Sequence, residues 1–513
     1  MCRDLPADLP EHVSQHLCAD VREHLSAHLR AHVPEHLCEY LPDNVWADLQ
    51  QLRGDLRGQL RELALLHLPV GVPAAMSRAL VDAPASVAVE VGLRLARDDL
   101  LDAAIAAFTR ETGFPESVHW NPVTVAQGDA GLAVLFGALA ADRPGQGWER
   151  VGHEHLRRAV DAAGRVPVRG APLYTGLAGI GFAALGLARH RDRYARLLAA
   201  VDEQVAADVG AICRRLAVLP AGSGCWVGEF DLIAGLAGAA AYLVSRHGPR
   251  AAQAADDAIG TLVRLVLDGP PSLPRWHTPR ELLGDDDQRH QYPYGNMNCG
   301  LAHGLPGPLA LLAIALRQGR ALPNLADAVR VAARWLVEHR LDDGGGPVWP
   351  AAVPLPSRTG DPAPRRPCPA RAGWCYGSPG VARALWLAGE ALHAAEYREI
   401  AVDAMCAALD LPPERRGLDS PNLCHGVAGL LQITHRFAVD TGLPRFARAR
   451  EELLAELLDA YEPGSILGFR NVEPGSVRVE NPGLLDGATG VALVLLACCS
   501  DTEPSWDRLL LLS

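Results

Sequence analysis

A Gly-x-x-Gly unit recurs seven times along the chain, and this recurrence constrains the fold more than any other feature of the sequence. The units lie at Gly128–Gly131, Gly176–Gly179, Gly235–Gly238, Gly304–Gly307, Gly377–Gly380, Gly426–Gly429 and Gly487–Gly490. An apolar stretch follows each unit, as at 132–140 and 491–497. Helices that are apolar on every face are typically buried, so the repetition predicts seven buried inner helices.

More amphipathic stretches separate the apolar ones, as at 326–340 and 446–461. They predict outer helices with one face toward solvent. One inner and one outer helix per repeat, seven times over, predicts an all-α protein folded as a closed α/α toroid, or barrel. We assign this toroid to residues 81–513. Residues 1–80 are predicted to be an N-terminal extension of uncertain order.

The first 45 residues of that extension are rich in histidine. The histidines recur mainly at four-residue spacing, at His12, His16, His24, His28, His32 and His36. Residues four apart share one face of a helix, so neighbouring histidines could bind a metal. A compositionally biased segment without a required role is the simpler interpretation, and the sequence leaves both open.

The bulk composition excludes several classes of protein. The 513 residues are 49% hydrophobic and 21% charged, which allows a large core, and the net charge of −12 argues against nucleic acid as a partner. No apolar run reaches the roughly 18 residues of a transmembrane segment. Twelve cysteines without an apolar signal core are typical of reduced thiols. We therefore expect a cytoplasmic protein.

Two segments rich in proline and glycine, 268–298 and 341–372, interrupt the repeat. Long loops in a compact domain are commonly functional, and we expect both to form a rim over the mouth of the toroid. The three acids at 285–287 are interpreted as a solvated loop rather than a metal site.

The residues that precede two of the units point to metal chemistry. Cys375 lies just before the unit at Gly377, and Cys424 and His425 lie just before the unit at Gly426. Equivalent positions in two repeats of one toroid meet at the same end of it. Two cysteines and one histidine are three ligands of the kind that catalytic zinc takes while keeping a fourth position open. The sequence therefore predicts a Zn²⁺ site formed by these three residues.

Two thiolate ligands leave such a zinc site without excess positive charge, which weakens its action on carbonyl groups. A substrate thiol bound there would be deprotonated and electron-rich. The ligand set therefore favours alkylation of a sulfur atom over hydrolysis.

Four further residues are candidates for catalysis. His303 holds the position before the unit at Gly304 and could move protons near neutral pH. Asp231 could orient that imidazole, although an aspartate in such a place is often only a helix cap. Arg371 could stabilise an anion on a carbonyl oxygen, and Tyr376 could donate a hydrogen bond to the same oxygen.

Together these motifs resemble the lanthipeptide cyclase (LanC-like) family. The resemblance covers roughly residues 85–513 and includes Leu-Ala-His-Gly-Leu-Pro-Gly, Trp-Cys-Tyr-Gly-Ser-Pro-Gly and Leu-Cys-His-Gly-Val-Ala-Gly. It implies a stand-alone cyclase with zinc on Cys375, Cys424 and His425. It also implies Michael addition of a peptide cysteine to dehydroalanine or dehydrobutyrine. The expected partners are a dehydrated precursor peptide and a separate dehydratase.

Three alternatives remain open at this point. Some LanC-like proteins are implicated in adding glutathione to dehydroamino acids, which is the intermolecular form of the same reaction. Prenyltransferase toroids also activate thiols with zinc, but with an aspartate in the expected ligand set. A toroid without catalytic activity could instead bind peptides in its mouth.

Overall fold

The computed structural model describes residues 84–513 except 118, 189–192, 221, 271, 343, 358–366 and 501. The predicted extension at 1–80, with its histidines, lies outside the described residues. The helices of the described part, in chain order, are α1 (Pro84–Leu95), α2 (Asp98–Glu111), α3 (Asp129–Asp142), α4 (Trp148–Ala163), α5 (Leu177–Leu187), α6 (Ala195–Ala217), α7 (Leu236–Leu243), α8 (Pro249–Leu267), α9 (Asp286–Gln291), α10 (Pro306–Arg317), α11 (Leu325–Glu338), α12 (Ser378–Leu392), α13 (Ala395–Asp410), α14 (Pro413–Arg416), α15 (Val427–Thr441), α16 (Pro444–Asp459) and α17 (Ala488–Cys499).

An inner helix starts within each of the seven glycine units. These are α3, α5, α7, α10, α12, α15 and α17, and each packs against the next, with α17 returning to α3. Their apolar composition matches this position, and in α7 every residue is buried. The inner helices therefore form a closed ring, as the repeat predicted.

Within the described part of the chain, seven outer helices surround the ring, one for each inner helix. They are α1, α4, α6, α8, α11, α13 and α16. Helix α1 packs on α17, so the start of the described chain supplies the outer helix of the last repeat. The predicted outer helices at 326–340 and 446–461 correspond to α11 and α16. The all-α toroid is thus confirmed, and among the described residues no helix has the length and apolar character that a bilayer crossing requires.

Short antiparallel strand pairs lie at the end of the toroid where the inner helices begin. The pairs are β1 (Asn296–Asn298) with β4 (Ala352–Pro354), β2 (Leu341–Asp342) with β3 (Pro347–Val348), and β5 (Arg470–Glu473) with β6 (Val477–Glu480). The β1–β4 pair joins the two segments rich in proline and glycine. In the acidic run within the first of them, Asp285 caps α9 by accepting from the Gln288 N–H at 2.7 Å.

Backbone hydrogen bonds link all seven loops that precede the inner helices. The N–H of Cys375 donates to the carbonyl of Cys424 at 3.1 Å, and the N–H of Cys424 donates to Leu485 at 2.8 Å. The remaining links run from Leu484 to Ala126, Val125 to Tyr174, Tyr174 to Ile233, Leu232 to Ala302, and Ala302 to Cys375. Corresponding loop residues are therefore held at one level around the ring.

The second glycine of every unit is required by close packing. A Cβ on Gly429 would collide with the carbonyl oxygen of Leu423 in its own repeat and lie 3.3 Å from the Cβ of Trp374 in the preceding one. The other six second glycines have equivalent neighbours, a carbonyl oxygen of their own repeat and a side chain of the preceding repeat. The Cβ of an alanine at Gly131, for example, would lie 3.3 Å from the Cβ of Leu484 in the last repeat. Only glycine allows each helix to approach both loops so closely.

The C-terminal tail, residues 506–513, fills the centre of the ring. The Tyr174 hydroxyl donates to the carbonyl of Leu509 at 2.7 Å, and the Trp374 indole N–H donates to that of Leu510 at 3.1 Å. Tyr174 and Trp374 come from the second and fifth repeats, yet their rings lie only 6.3 Å apart. The sequence analysis did not predict this position of the tail, which fills the space between the inner helices beneath the loops that precede them.

Candidate active site

The site lies in the loops that enter the inner helices. The residue directly before the first glycine occupies the same place in every repeat, and these residues are Gln127, Thr175, Ala234, His303, Tyr376, His425 and Asp486. The residue one position earlier carries the backbone link between neighbouring loops in most repeats, and in the fifth and sixth repeats it is a cysteine. The fold therefore brings four of the predicted residues, Cys375, Tyr376, Cys424 and His425, to adjacent loops.

Cys375, Cys424 and His425 form a cluster suited to one metal ion. One ligand atom from each residue lies within 4.8 Å of the others, and within the described part of the chain no other such group of three is found. Ligands of tetrahedral zinc at 2.0–2.3 Å from the metal lie roughly 3.4–3.8 Å apart, so small side-chain adjustments would suffice. The soft donor set also fits zinc.

The pKa values of the two thiols are shifted in opposite directions. A hydrogen bond from Cys424 holds the pKa of the Cys375 thiol well below its usual range, despite burial, and His425 acts in the same direction. The same bond, together with burial, raises the pKa of Cys424. Burial lowers the pKa of His425, but its bond to Cys375 and the charge of Asp486 raise it overall. Cys375 is thus prepared to ionise first.

Two polar residues that the sequence analysis missed lie beside the nitrogens of the His425 ring. The Asn422 side chain accepts the backbone N–H of His425 at 3.0 Å, and its amide nitrogen lies 3.2 Å from Nε2. An oxygen of Asp486 lies 3.5 Å from Nδ1 of the same ring. Burial raises the pKa of this carboxyl group. Asp486 precedes the seventh glycine unit as His425 precedes the sixth, and this equivalence was the signal in the sequence.

His303 and Asp231 form a hydrogen-bonded pair. Nδ1 of His303 lies 2.7 Å from Oδ2 of Asp231, while Oδ1 of the aspartate accepts the N–H groups of Ala234 and Gly235 at 2.8 and 2.9 Å. Asp231 is buried, whereas the His303 side chain is 38% exposed. The aspartate therefore both caps the loop before α7 and fixes the ring, which leaves Nε2 as the exposed nitrogen.

Tyr376 and Arg371 connect this pair with the cysteine cluster. The Tyr376 ring centroid lies 6.3 Å from that of His303, and its hydroxyl accepts from the Asn298 amide at 3.1 Å. Burial raises the pKa of Tyr376 to about 12, so the hydroxyl keeps its proton. Arg371 lines the same cleft as Cys375, so its positive charge lies on the side of the cluster that a substrate would reach. Asn298 was not among the sequence candidates.

A cleft of about 940 Å³ opens onto the cluster. Its walls include Arg371, Cys375, Tyr376, His425 and Asp486. Ala351 and Ala370 from the second segment rich in proline and glycine also contribute to the wall. That segment therefore borders the mouth, as expected, while the first contributes Asn298 behind Tyr376.

The fold and the site define an α/α toroid with a cluster of two cysteines and one histidine at one end. A family model described as lanthionine synthetase C-like protein matches residues 119–511, and the chain belongs to this family. This membership supports a cyclase enzyme of lanthipeptide biosynthesis, the class that the motifs resembled.

A sequence match and a structure match show the same relationship. The chain is 23% identical over 368 residues to the nisin biosynthesis protein NisC of Lactococcus lactis subsp. lactis, and the match covers 71% of this chain and 86% of that protein. The structure of nisin cyclase is similar at a TM-score of 0.65 with 20% identity, covering 81% of this chain and 98% of that one. This structural similarity confirms the toroid fold.

Proposed function

We propose that the protein is a zinc-dependent lanthipeptide cyclase that forms lanthionine or methyllanthionine rings in a dehydrated precursor peptide. The observation that carries the proposal is the cluster of Cys375, Cys424 and His425 in a cleft large enough for a peptide. The name of the relative from nisin biosynthesis agrees with a peptide substrate. A separate enzyme would dehydrate serine and threonine in the precursor, and we expect both steps in the cytoplasm.

Zinc bound by the two cysteines and the histidine would supply activation of an incoming peptide thiol by favouring its thiolate form. The residues around the cluster serve this chemistry. One nitrogen of His425 would bind the metal, and the residue beside the other nitrogen, Asn422 at Nε2 or Asp486 at Nδ1, would orient that ligand. Arg371 adds positive charge beside the cysteines and so favours an anion at this place.

The reaction forms one carbon–sulfur bond. The peptide thiolate attacks the β-carbon of dehydroalanine or dehydrobutyrine, and the π electrons of the carbon–carbon double bond move toward the carbonyl as an enolate. Arg371 and the protonated Tyr376 hydroxyl would stabilise that negative oxygen. A proton then adds to the α-carbon, which completes the thioether.

His303 is the proposed proton carrier. Asp231 holds Nδ1 as an N–H donor and so directs Nε2 outward, where it can receive the thiol proton or deliver one to the α-carbon. The pairing supports proton transfer by His303, either as the base that takes the thiol proton or as the acid that protonates the α-carbon. The sequence prediction for these two residues stays a proposal.

Ring closure in a purified system tests the function. A synthetic peptide with one dehydroalanine and one cysteine is incubated with the zinc-loaded protein, and free thiol is then trapped with an alkylating agent before mass spectrometry. Cyclisation predicts an unalkylated product of unchanged mass, formed without glutathione. A product that carries added glutathione would indicate the conjugating enzyme instead, and persistence of free thiol under all conditions would indicate a toroid that only binds peptides.

A further inference from the structure

The cleft beside the metal cluster extends to a second wall that the proposed chemistry does not use. His119, Asn481 and Phe114 line this wall, and the volume of about 940 Å³ is at the upper end of the roughly 300–1,000 Å³ of ordinary ligand sites. One reacting residue and one thiol would occupy only part of it. The remaining space would accommodate a peptide longer than the reacting pair of residues.

Two buried polar atoms on this wall lack a partner. Nε2 of His119 and Nδ2 of Asn481 have no hydrogen bond within the part of the chain that the structure describes, although the residues are only 8% and 1% exposed. Buried polar groups in folded proteins are almost always paired with protein or ordered water, and each exception requires an explanation. Because both residues line the cleft, a ligand bound there could supply the missing partner.

A second asparagine in an equivalent loop shows that this turn can form while the side-chain amide is hydrogen-bonded. Asn298 and Asn481 hold equivalent places in the fourth and seventh repeats, and each accepts the N–H two residues later, from Gly300 at 2.9 Å and Gly483 at 2.8 Å. The amide of Asn298 donates onward to Tyr376 of the next repeat. At the corresponding place beside Asn481 stands Gln127, and the Asn481 amide is left unpaired.

The wall is also held in place. The carboxylate of Glu473, on strand β5, accepts from the Thr112 hydroxyl at 2.9 Å and from the Gly113 N–H at 2.8 Å. These bonds tie the β5–β6 hairpin to the segment after α2. Phe114, two residues beyond Thr112, is 49% exposed at the edge of the cleft and offers an apolar contact.

We propose that His119 and Asn481 form a subsite for the main chain of the peptide substrate, outside the reacting pair of residues. The Asn481 amide donates to a peptide carbonyl, and His119 Nε2 bonds to a neighbouring main-chain group. Phe114 contacts an apolar side chain of the same segment. The inference rests on the proposed function, because it assumes a peptide in the cleft.

Two substitutions remove the free atoms while keeping the local structure. Asn481→Ser retains an oxygen for the Gly483 N–H, as serine does at the equivalent Ser420, which accepts the Asn422 N–H. His119→Phe keeps an aromatic ring against Phe108, whose centroid lies 5.0 Å away. His435→Phe is the matched control, since His435 also has a buried unpaired nitrogen but lies on α15 outside the cleft wall.

Steady-state kinetics with a long dehydrated peptide and with a short one limited to the reacting pair provide the test. Each subsite variant is expected to raise KM for the long peptide about fivefold to tenfold, the effect of one lost hydrogen bond. Zinc content, kcat and KM for the short peptide should stay unchanged, as should all values in His435→Phe. An unchanged KM for the long peptide, or an equal rise for both peptides, would overturn the subsite.

Calorimetric binding of a long peptide whose cysteine is replaced by serine separates the two proposals. Weaker binding in both subsite variants supports the subsite even if the wild type closes no ring, a result that would contradict only the proposed function. Equal binding by wild type and both variants would reject the subsite whatever the activity.

Discussion

Asp231 holds His303 by a hydrogen bond of 2.7 Å across two neighbouring repeats, while its other oxygen fixes the loop that carries it. The chain contains a second pair of the same kind, His155 with Asp129 at 2.8 Å, which is almost completely buried between α3 and α4. The two pairs allow catalytic and structural roles to be compared within one protein.

Replacement of His303 by alanine should abolish ring closure without loss of metal. Removal of a proton carrier typically slows a reaction about 10²- to 10⁴-fold, and His303 lies outside the predicted ligand set. Turnover and zinc content measured on the same sample check this. Full activity in His303→Ala would rule out both proton-transfer roles.

Asp231→Asn and Asp129→Asn form a matched pair of variants. Asp231→Asn should lower kcat, because the amide no longer fixes the Nδ1 proton of His303, and should alter the pH profile of kcat. Asp129→Asn should lower the melting temperature and leave kcat within about twofold. Equal kinetic effects in the two variants would show that the His303 pair is merely structural.

The packing of the closed ring predicts that alanine substitutions at two glycines of inner helices change the free energy of unfolding in opposite directions. Gly429→Ala should destabilise the fold by about 2–4 kcal/mol, because its Cβ would collide with the Leu423 carbonyl. Gly186→Ala, where a Cβ meets no atom of the described residues within 4 Å, should raise stability by about 0.5–1 kcal/mol through helix propensity. Chemical denaturation of both variants measures this, and similar values for the two would contradict the packing account.

The ion pair between Asp507 of the tail and Arg436 of α15 should contribute strongly to stability. Buried Asp507 accepts two hydrogen bonds from Arg436, at 2.6 and 2.7 Å, and another from Gln432 at 2.9 Å. Asp507→Ala removes the close carboxylate from the buried guanidinium, which keeps only the Pro504 carbonyl and the exposed Glu503 at 3.5 Å, and should cost about 3 kcal/mol. Asp98→Ala, which breaks the surface pair with Arg158, should cost less than about 1 kcal/mol. A small loss of unfolding free energy in the Asp507 variant would argue against the buried tail.

Stability should fall in acid through His435. Burial, together with Arg450 and Arg436, lowers the pKa of this imidazole from 6.5 to about 4. Between these values the unfolded chain binds a proton that the folded protein does not, so the contribution is present above pH 6.5 and is lost as the pH falls toward 4. The full effect is about 3 kcal/mol. His435→Phe should flatten this part of the stability curve, and parallel curves would contradict the assignment.

The repeats made most of the fold predictable, because each Gly-x-x-Gly unit marks a place where a Cβ cannot fit. The cysteine cluster was predictable for the same reason, since equivalent loop positions meet at one end of the ring. Asn298 and Asn422 were not found, because an asparagine in a loop usually only forms a turn. The leucine-rich tail gave no sign of its place in the centre, which depends on partners such as Tyr174 and Trp374 far away in the chain.

Zinc per chain, measured by elemental analysis on untagged wild type and on Cys424→Ser, tests the central claim most directly. We predict about one tightly held zinc in the wild type and its loss in a variant that remains folded. Equal zinc in both proteins would contradict the assignment of Cys424 as a ligand. A folded wild type without zinc, unable to take it up, would contradict the thiol-activating centre itself.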